Sequence, residues 1–275
     1  MNNIILKNNE KIVLPNFFFP KYKTELIRLG KDNDGGYLVP IKSIECTKNL
    51  YSFGLDDDFS FEKDFSKKQN INIYCYDHSV DWKFWIKKAF KDLKNLLLFK
   101  IKKSELKNIF KYFDYKIFFD SKTKTHHKKF IAPVGTIIST MNASEIADLD
   151  TMFANNSNKD IFLKIDIEGS EYRILDQIIK YQSLIVGLVI EFHDCDLQKN
   201  TIKDFMENFE LKLVHLHINN WGLINSNKFP SAIELTFSPT EYNQDMNDTK
   251  HSFPTVLDQP CNPLFRDLPI EFIDF

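Results

Sequence analysis

The chain has 275 residues, 43% of them hydrophobic and 27% charged, and its 36 Lys and Arg nearly balance 38 Asp and Glu to leave a net charge of −2. That length is enough to build a sizeable core, and the composition excludes collagen, coiled coil and wholesale disorder. Without a basic excess there is no electrostatic footprint for a nucleic-acid partner, and none is expected.

Short β-branched or apolar runs alternate with amphipathic stretches. Residues 1–49 are expected to be a lead-in, with Pro15, Pro20, Pro40 and the turn signal Asp34-Gly35-Gly36. A domain is expected over 50–240, and 241–275, rich in proline, reads as a tail packed on it. Strands are expected at Leu50–Phe53, Asn72–Tyr76, Leu96–Lys100, Ile161–Ile165, Val186–Phe192, Leu213–Ile218 and Ile233–Phe237. Helical spacing joins Phe61 to Phe65, and Trp82 to Trp85 and Ala89. It recurs at Ile146, Leu149 and Phe153, at Leu175, Ile178 and Ile179, and at Ile202, Phe205 and Phe209. Strand and helix alternating in this way predict a mostly parallel sheet with helices on both faces. The last two strands, joined only by the loop Asn219–Pro230, are expected to be an antiparallel pair. The cationic stretch Ser121–Lys129 is expected to be a mobile surface loop or lid.

Cys46, Cys75, Cys195 and Cys261 are widely spaced with no CxxC, which argues against a zinc ribbon or disulfide framework and for a reducing compartment. The N-terminus lacks the cationic start and long apolar centre of a signal peptide. The apolar run Leu184–Ile190 is too short to cross a bilayer. A cytoplasmic chain without a membrane span is expected.

In doubly wound sheets, ligands sit at the carboxyl ends of the strands where the winding reverses. The first strand ends at Gly54, which lets the backbone turn sharply and a ligand come close. Asp56, Asp57 and Asp58 follow, and Ser60 is expected to cap the next helix. GxGxxG is absent, and piled negative charge opposes a pyrophosphate, so a cationic cofactor without phosphate fits better. The alternative is an acidic surface turn. Asp77, followed by His78, ends the second strand, where a carboxylate can accept both hydroxyls of an adenosine ribose. The alternative there is a turn former or helix cap.

Asp166, Glu168 and Glu171 surround Gly169 at a strand-to-helix junction. Glu168 and Glu171 have the simpler role of complementing a helix N-terminus. Glu191 and His193 end the next strand, while His215, His217 and Asn219 share a face of the one after. Polar groups from three neighbouring strand ends thus converge on one edge, although a lone histidine there is more often a satisfied core residue.

Together these residues resemble the FkbM-type branch of S-adenosylmethionine-dependent methyltransferases. Leu163-Lys164-Ile165-Asp166-Ile167-Glu168-Gly169-Ser170-Glu171 matches its LKxDxEGxE segment. Tyr51–Glu62 looks like its first cofactor turn, and Arg28–Val39 like its DGGY element. The resemblance spans roughly residues 25–240. It implies a Rossmann-like seven-stranded methyltransferase sheet and methyl transfer from S-adenosylmethionine to an oxygen of a saccharide or sugar-phosphate-like acceptor. Such chemistry belongs to surface-glycan or natural-product biosynthesis.

Carried over residue by residue, Gly54 and Asp56 border the methionine part of the cofactor, with Phe61 beside them. Asp77 holds the ribose next to His78, and Gly36 packs near the cofactor or acceptor. Asp166 sits near the sulfonium and acceptor. From its place just past the fifth strand, independently of the resemblance, His193 is the candidate general base, with His215 or His217 next in line; the alternative is that it only hydrogen-bonds the acceptor or is structural. A divalent cation on Asp166, Glu191 and His193 is the competing device for activating the hydroxyl. The first turn departs from the common GxGxG, keeping only Gly54. Two other functions compete: a non-catalytic carbohydrate- or nucleoside-binding module on the same fold, and a metal-dependent hydrolase.

Overall fold

The computed structural model describes residues 11–97, 110–154, 156–245 and 252–274. Numbering only the strands of the central sheet, these are β1 (Asn49–Phe53), β2 (Asn72–Tyr76), β3 (Lys124–His127), β4 (Ile161–Ile165), β5 (Ile185–Phe192), β6 (Lys212–Ile218) and β7 (Ile233–Ser238). Their spatial order is β6-β7-β5-β4-β1-β2-β3. Strands β1 to β5 run parallel, while β7 is antiparallel to both β5 and β6. The winding reverses between β1 and β4, which places a crevice at their carboxyl ends.

Alternation along each strand builds two cores. Leu50, Phe162 and Val189 face one side, with Ile44 of α1 (Ile41–Cys46), Phe61 and Phe65 of α2 (Ser60–Lys68), Trp85 of α3 (Trp82–Leu97) and Phe118 of α4 (Lys111–Phe119). Tyr51, Leu163 and Leu188 face the other. There they meet Leu149 and Phe153 of α5 (Leu149–Phe153), Leu175 and Ile178 of α6 (Leu175–Lys180), and Ile202 and Phe205 of α7 (Cys195–Asn208). Neighbours in sequence thus fill opposite layers, as a pleated strand requires.

The third strand differs from the expectation. Leu96 and Leu97 close helix α3, and 98–100 lie outside the described residues. The sheet edge is instead Lys124–His127, inside the stretch expected to be a surface loop or lid. Its polar sequence suits an edge, where charged side chains blunt the unpaired rim. The edge is also stacked: the His127 ring lies 4.6 Å from that of Tyr76.

The lead-in forms an antiparallel hairpin, Leu26–Leu29 against Tyr37–Pro40, whose turn holds Gly35 and Gly36. The two ends of the chain meet where Ile12–Pro15 pairs in parallel with Ile270–Ile273. Among the described residues no helix is long and apolar enough to cross a membrane.

Candidate active site

A cavity of about 820 Å³ opens at the carboxyl ends of β1, β2, β4 and β5, within the range of small-molecule sites. Gly54, Asp56, Phe61, Asp77, His78, Asp166 and His193 all line it. Gly36 does not. A Cβ there would lie 2.3 Å from the Lys31 carbonyl oxygen and 2.6 Å from the Arg28 guanidinium, so Gly36 serves the turn while Gly35 reaches the cavity.

At the end of β2, Asp77 is already engaged. Its Oδ2 accepts the N–H groups of Leu55 and Asp56 at 2.9 and 3.0 Å, and its Oδ1 accepts the N–H and hydroxyl of Ser79. Burial opposes the charge, but these donors outweigh it and hold the carboxyl below its usual range. Asp77 therefore shapes the first turn as well as facing the cavity. His78 packs edge-on to Phe130 at 5.3 Å, and Phe61 stands edge-on to Tyr37 at 5.7 Å.

The acidic turn is partly neutralised. Asp57 pairs with Lys88 and Lys111, and Asp58 pairs with Lys31 at 3.1 Å. Asp58, rather than Ser60, accepts the first helical N–H, while the Ser60 hydroxyl accepts the N–H of Lys31. Gly54, at φ +84°, has no room for a side chain, because a Cβ would lie 1.6 Å from the Asp166 carbonyl oxygen. The glycine is thus required by the close approach of β1 and β4, not by the space of a ligand.

At the ends of β4 and β5, Tyr37 places its hydroxyl 3.0 Å from Asp166 Oδ2 and 3.4 Å from Glu191 Oε2. Burial and these carboxylates raise the Tyr37 pKa far above normal, so it stays a phenol that donates. Lys164 donates to the Gly54 carbonyl at 2.7 Å and lies 3.7 Å from Asp166. Burial disfavours its charge, but Asp166 and Glu62 outweigh that, and the ammonium is retained. Glu191 accepts from Asn219 at 2.7 Å. Burial, then the charges of Asp166 and Glu234, push its pKa well up. Tyr37, Lys164 and Asn219 thus join the site; the first two stood unassigned inside the DGGY and LKxDxEGxE segments.

His193 is held differently from the expected base. Its Nδ1 lies 3.0 Å from Glu171 Oε1, and its Nε2 lies 3.5 Å from Glu168 and 3.7 Å from Glu191. Burial lowers its pKa, but Glu171 and Glu191 raise it more, to about 9. At neutral pH it is an imidazolium, which cannot take a proton. Glu171 stands in the first turn of a short 3-10 helix, Glu171–Arg173, which leads into α6, rather than in α6 itself. Its carboxylate instead closes the turn by accepting the N–H groups of Ile167 and Gly169. Glu168 itself sits at φ +55°.

His215 and His217 are removed from the site by the tail. Asp258 lies 2.9 Å from His215 Nε2, and His217 bridges Glu234 and Asp267. Neither lines the cavity; only Asn219 of that strand face does. Among the described residues, two groups have donor atoms within 4.8 Å of one another: Asp166, Glu168 and His193, and His217, Glu234 and Cys261. The expected metal set therefore gains Glu168 in place of Glu191.

A model of the methyltransferase FkbM domain matches residues 14–213. The chain belongs to this family. Three solved structures share distant similarity with the FkbM-family chain. A putative RNA methyltransferase from Pyrococcus horikoshii has a TM-score of 0.36 at 8% identity, covering 70% of this chain and 74% of that one. The Methanococcus jannaschii fibrillarin pre-rRNA processing protein has 0.35 at 11%, covering 86% of each. The precorrin-6y C5,15-methyltransferase from Geobacter metallireducens GS-15 has 0.33 at 10%, covering 72% and 84%. These likenesses are too distant to carry any conclusion. No curated protein matches the chain significantly.

The methyl donor of such a family fits the cavity by charge. Asp34, Asp56, Asp77 and Asp166 line it beside Lys31, Lys129 and Lys164, so carboxylates are at hand for a ligand that carries cationic sulfonium and ammonium groups.

Proposed function

We propose that the chain methylates a hydroxyl oxygen of a saccharide or sugar-phosphate-like acceptor. The observation that carries this reading is the polar acceptor end of the cavity, where Asp166, Glu168, Glu191, His193 and Asn219 surround the space beside the exposed ring of Trp221. Such a lining matches a hydroxyl-rich ligand with an apolar face. S-adenosylmethionine, when bound, supplies an activated methyl group on sulfur. Asp77, His78, the Gly54–Asp56 turn and Phe61 are the residues that would hold it.

The protein's part is orientation and proton handling. Asp166, held in place by the Tyr37 hydroxyl at Oδ2, accepts the acceptor's proton. His193, as an imidazolium, donates from Nε2 to the acceptor oxygen and stabilises negative charge developing there. This replaces the role of base first expected of it. A second reading has Asp166, Glu168 and His193 hold a divalent cation that acidifies the hydroxyl. The convergence of their donor atoms favours it.

The test is transfer from isotope-labelled S-adenosylmethionine to a panel of sugars and sugar phosphates. A labelled product that resists alkaline ester cleavage is an O-methyl ether and supports the reading. Methylation confined to amines, carboxyls or nucleic acid would overturn it. Loss of turnover in excess chelator, restored by one divalent cation, selects the metal-assisted form.

A further inference from the structure

The second cluster of metal-binding side chains lies outside the cavity. His217 of β6 and Glu234 of β7 are cross-strand neighbours, and Cys261 reaches them from the tail. All three are buried, with relative exposures of 3%, 7% and 2%. Hydrogen bonds connect them through both oxygens of Glu234: His217 Nδ1 to Glu234 Oε2 is 3.0 Å, Cys261 Sγ to Glu234 Oε1 is 3.4 Å, and Cys261 Sγ to His217 Nδ1 is 3.9 Å.

A tetrahedral zinc ion bound to sulfur, nitrogen and oxygen separates its donors by roughly 3.4–3.6 Å, given the usual bond lengths. Each of these separations is within about half an ångström of that spacing, and turning the Glu234 carboxylate would bring one oxygen to the ion. Thiolate, imidazole and carboxylate together are a donor set suited to zinc, and too soft for magnesium or calcium.

The other ring nitrogen supplies a second, independent observation. His217 Nε2 lies 3.0 and 3.1 Å from the two oxygens of Asp267. A carboxylate on the far nitrogen is the usual partner of a zinc-bound histidine, because it fixes the tautomer and aims the free lone pair at the metal. Asp267 is itself held by the N–H of Leu268.

We propose that His217, Glu234 and Cys261 supply three ligands of a tetrahedral zinc ion whose fourth position is taken by water, with Asp267 orienting the imidazole. The site fastens the tail to the sheet. Residues 252–269 have no helix or strand, and a metal bond replaces the backbone ladder that such a segment lacks. Binding expels the thiol proton of Cys261 and the proton shared by His217 Nδ1 and Glu234. The proposal is independent of the methyl acceptor. It also concerns different residues from the cation reading of Asp166, Glu168 and His193, none of which is a thiol.

The experiment uses the full chain, stripped with chelator under reducing conditions and titrated with cobalt(II). A near-ultraviolet thiolate-to-cobalt band, saturating at about one ion per chain and bleached by zinc, is expected. Cys261→Ser should abolish it, and Asp267→Asn should weaken cobalt binding by about 10- to 100-fold. Circular dichroism checks folding; if Cys261→Ser does not fold, Asp267→Asn decides. A folded wild-type chain with no thiolate band overturns the proposal, as does a band that survives Cys261→Ser or an affinity unmoved in Asp267→Asn. Cobalt bound with no sulfur signature points to Asp166, Glu168 and His193 and also overturns it.

Discussion

His193 Nδ1 donates across 3.0 Å to Glu171 Oε1, the same oxygen that accepts the N–H groups of Ile167 and Gly169. One buried carboxylate therefore shapes the turn after β4 and sets the charge of the imidazole after β5. Glu171→Gln tests that coupling, because the amide oxygen can keep all three bonds while the charge is lost. Glu171 Oε2, which the amide nitrogen would replace, has no hydrogen-bond partner. NMR titration should find His193 near 9 in the wild type and lower in the variant. A wild-type value near 6.5 would refute the imidazolium assignment.

The same shift has a stability signature. The folded-state pKa of His193 is raised above 6.5 to about 9. Its stabilisation is therefore fully present below about 6.5 and is lost as pH rises through about 9. Thermal unfolding between those limits should show wild-type Tm falling with pH, and the slope should flatten in Glu171→Gln or His193→Gln. An equal slope in all three would assign the fall to other groups.

Asp77→Ala is expected to weaken S-adenosylhomocysteine binding by more than tenfold. The structure adds a second consequence, because the turn at Leu55 and Asp56 loses its acceptor. Hydrogen bonds to a charged group contribute about 1.5–3 kcal/mol, so a measurable drop in stability should accompany the lost affinity. Asp77 has a lowered folded pKa, so its contribution is present above its unfolded value near 3.8 and disappears as pH falls through the folded one. Calorimetry giving the wild-type dissociation constant for Asp77→Ala would remove Asp77 from the cofactor site.

Gly54→Val should fail at folding before it fails at binding. A Cβ 1.6 Å from the Asp166 carbonyl, at φ +84°, forces β1 and β4 apart. A loss above about 4 kcal/mol is expected, large enough to deplete soluble protein. A variant that folds normally and loses only cofactor affinity would contradict this account.

Tyr37→Phe removes one hydroxyl from between Asp166 and Glu191. The expected cost in stability is about 1 kcal/mol. On the proposed mechanism, kcat should fall about tenfold or more while KM for the methyl donor stays close to wild type, since Tyr37 acts on the proton acceptor and not on the nucleoside end. A change confined to donor KM would place Tyr37 on the wrong side of the reaction.

Much of the architecture was legible in the residues themselves. The apolar runs at Leu50–Phe53, Ile161–Ile165 and Val186–Phe192 stand out because these strands are buried on both faces. The polar residues that end them announced where a site could lie. The edge strand Lys124–His127 carries no such signal, since an edge need bury only one side and tolerates Lys and His.

Which polar residue does what was decided only in three dimensions. His193 and His217 look alike as sequence, but one faces a cavity beside Glu171 and the other is enclosed by Glu234 and Asp267. Gly54 reads as room for a ligand until Asp166 is found against it. The family segment, the positions of most central strands and the acids at their ends could be read from the sequence alone, because periodicity and motif are local properties. The protonation of His193, the engagement of Asp77 and the capture of His215 and His217 by the tail were settled by tertiary structure. Each depends on burial and on charges brought together from distant parts of the chain, such as Asp258, which lies 43 residues from His215.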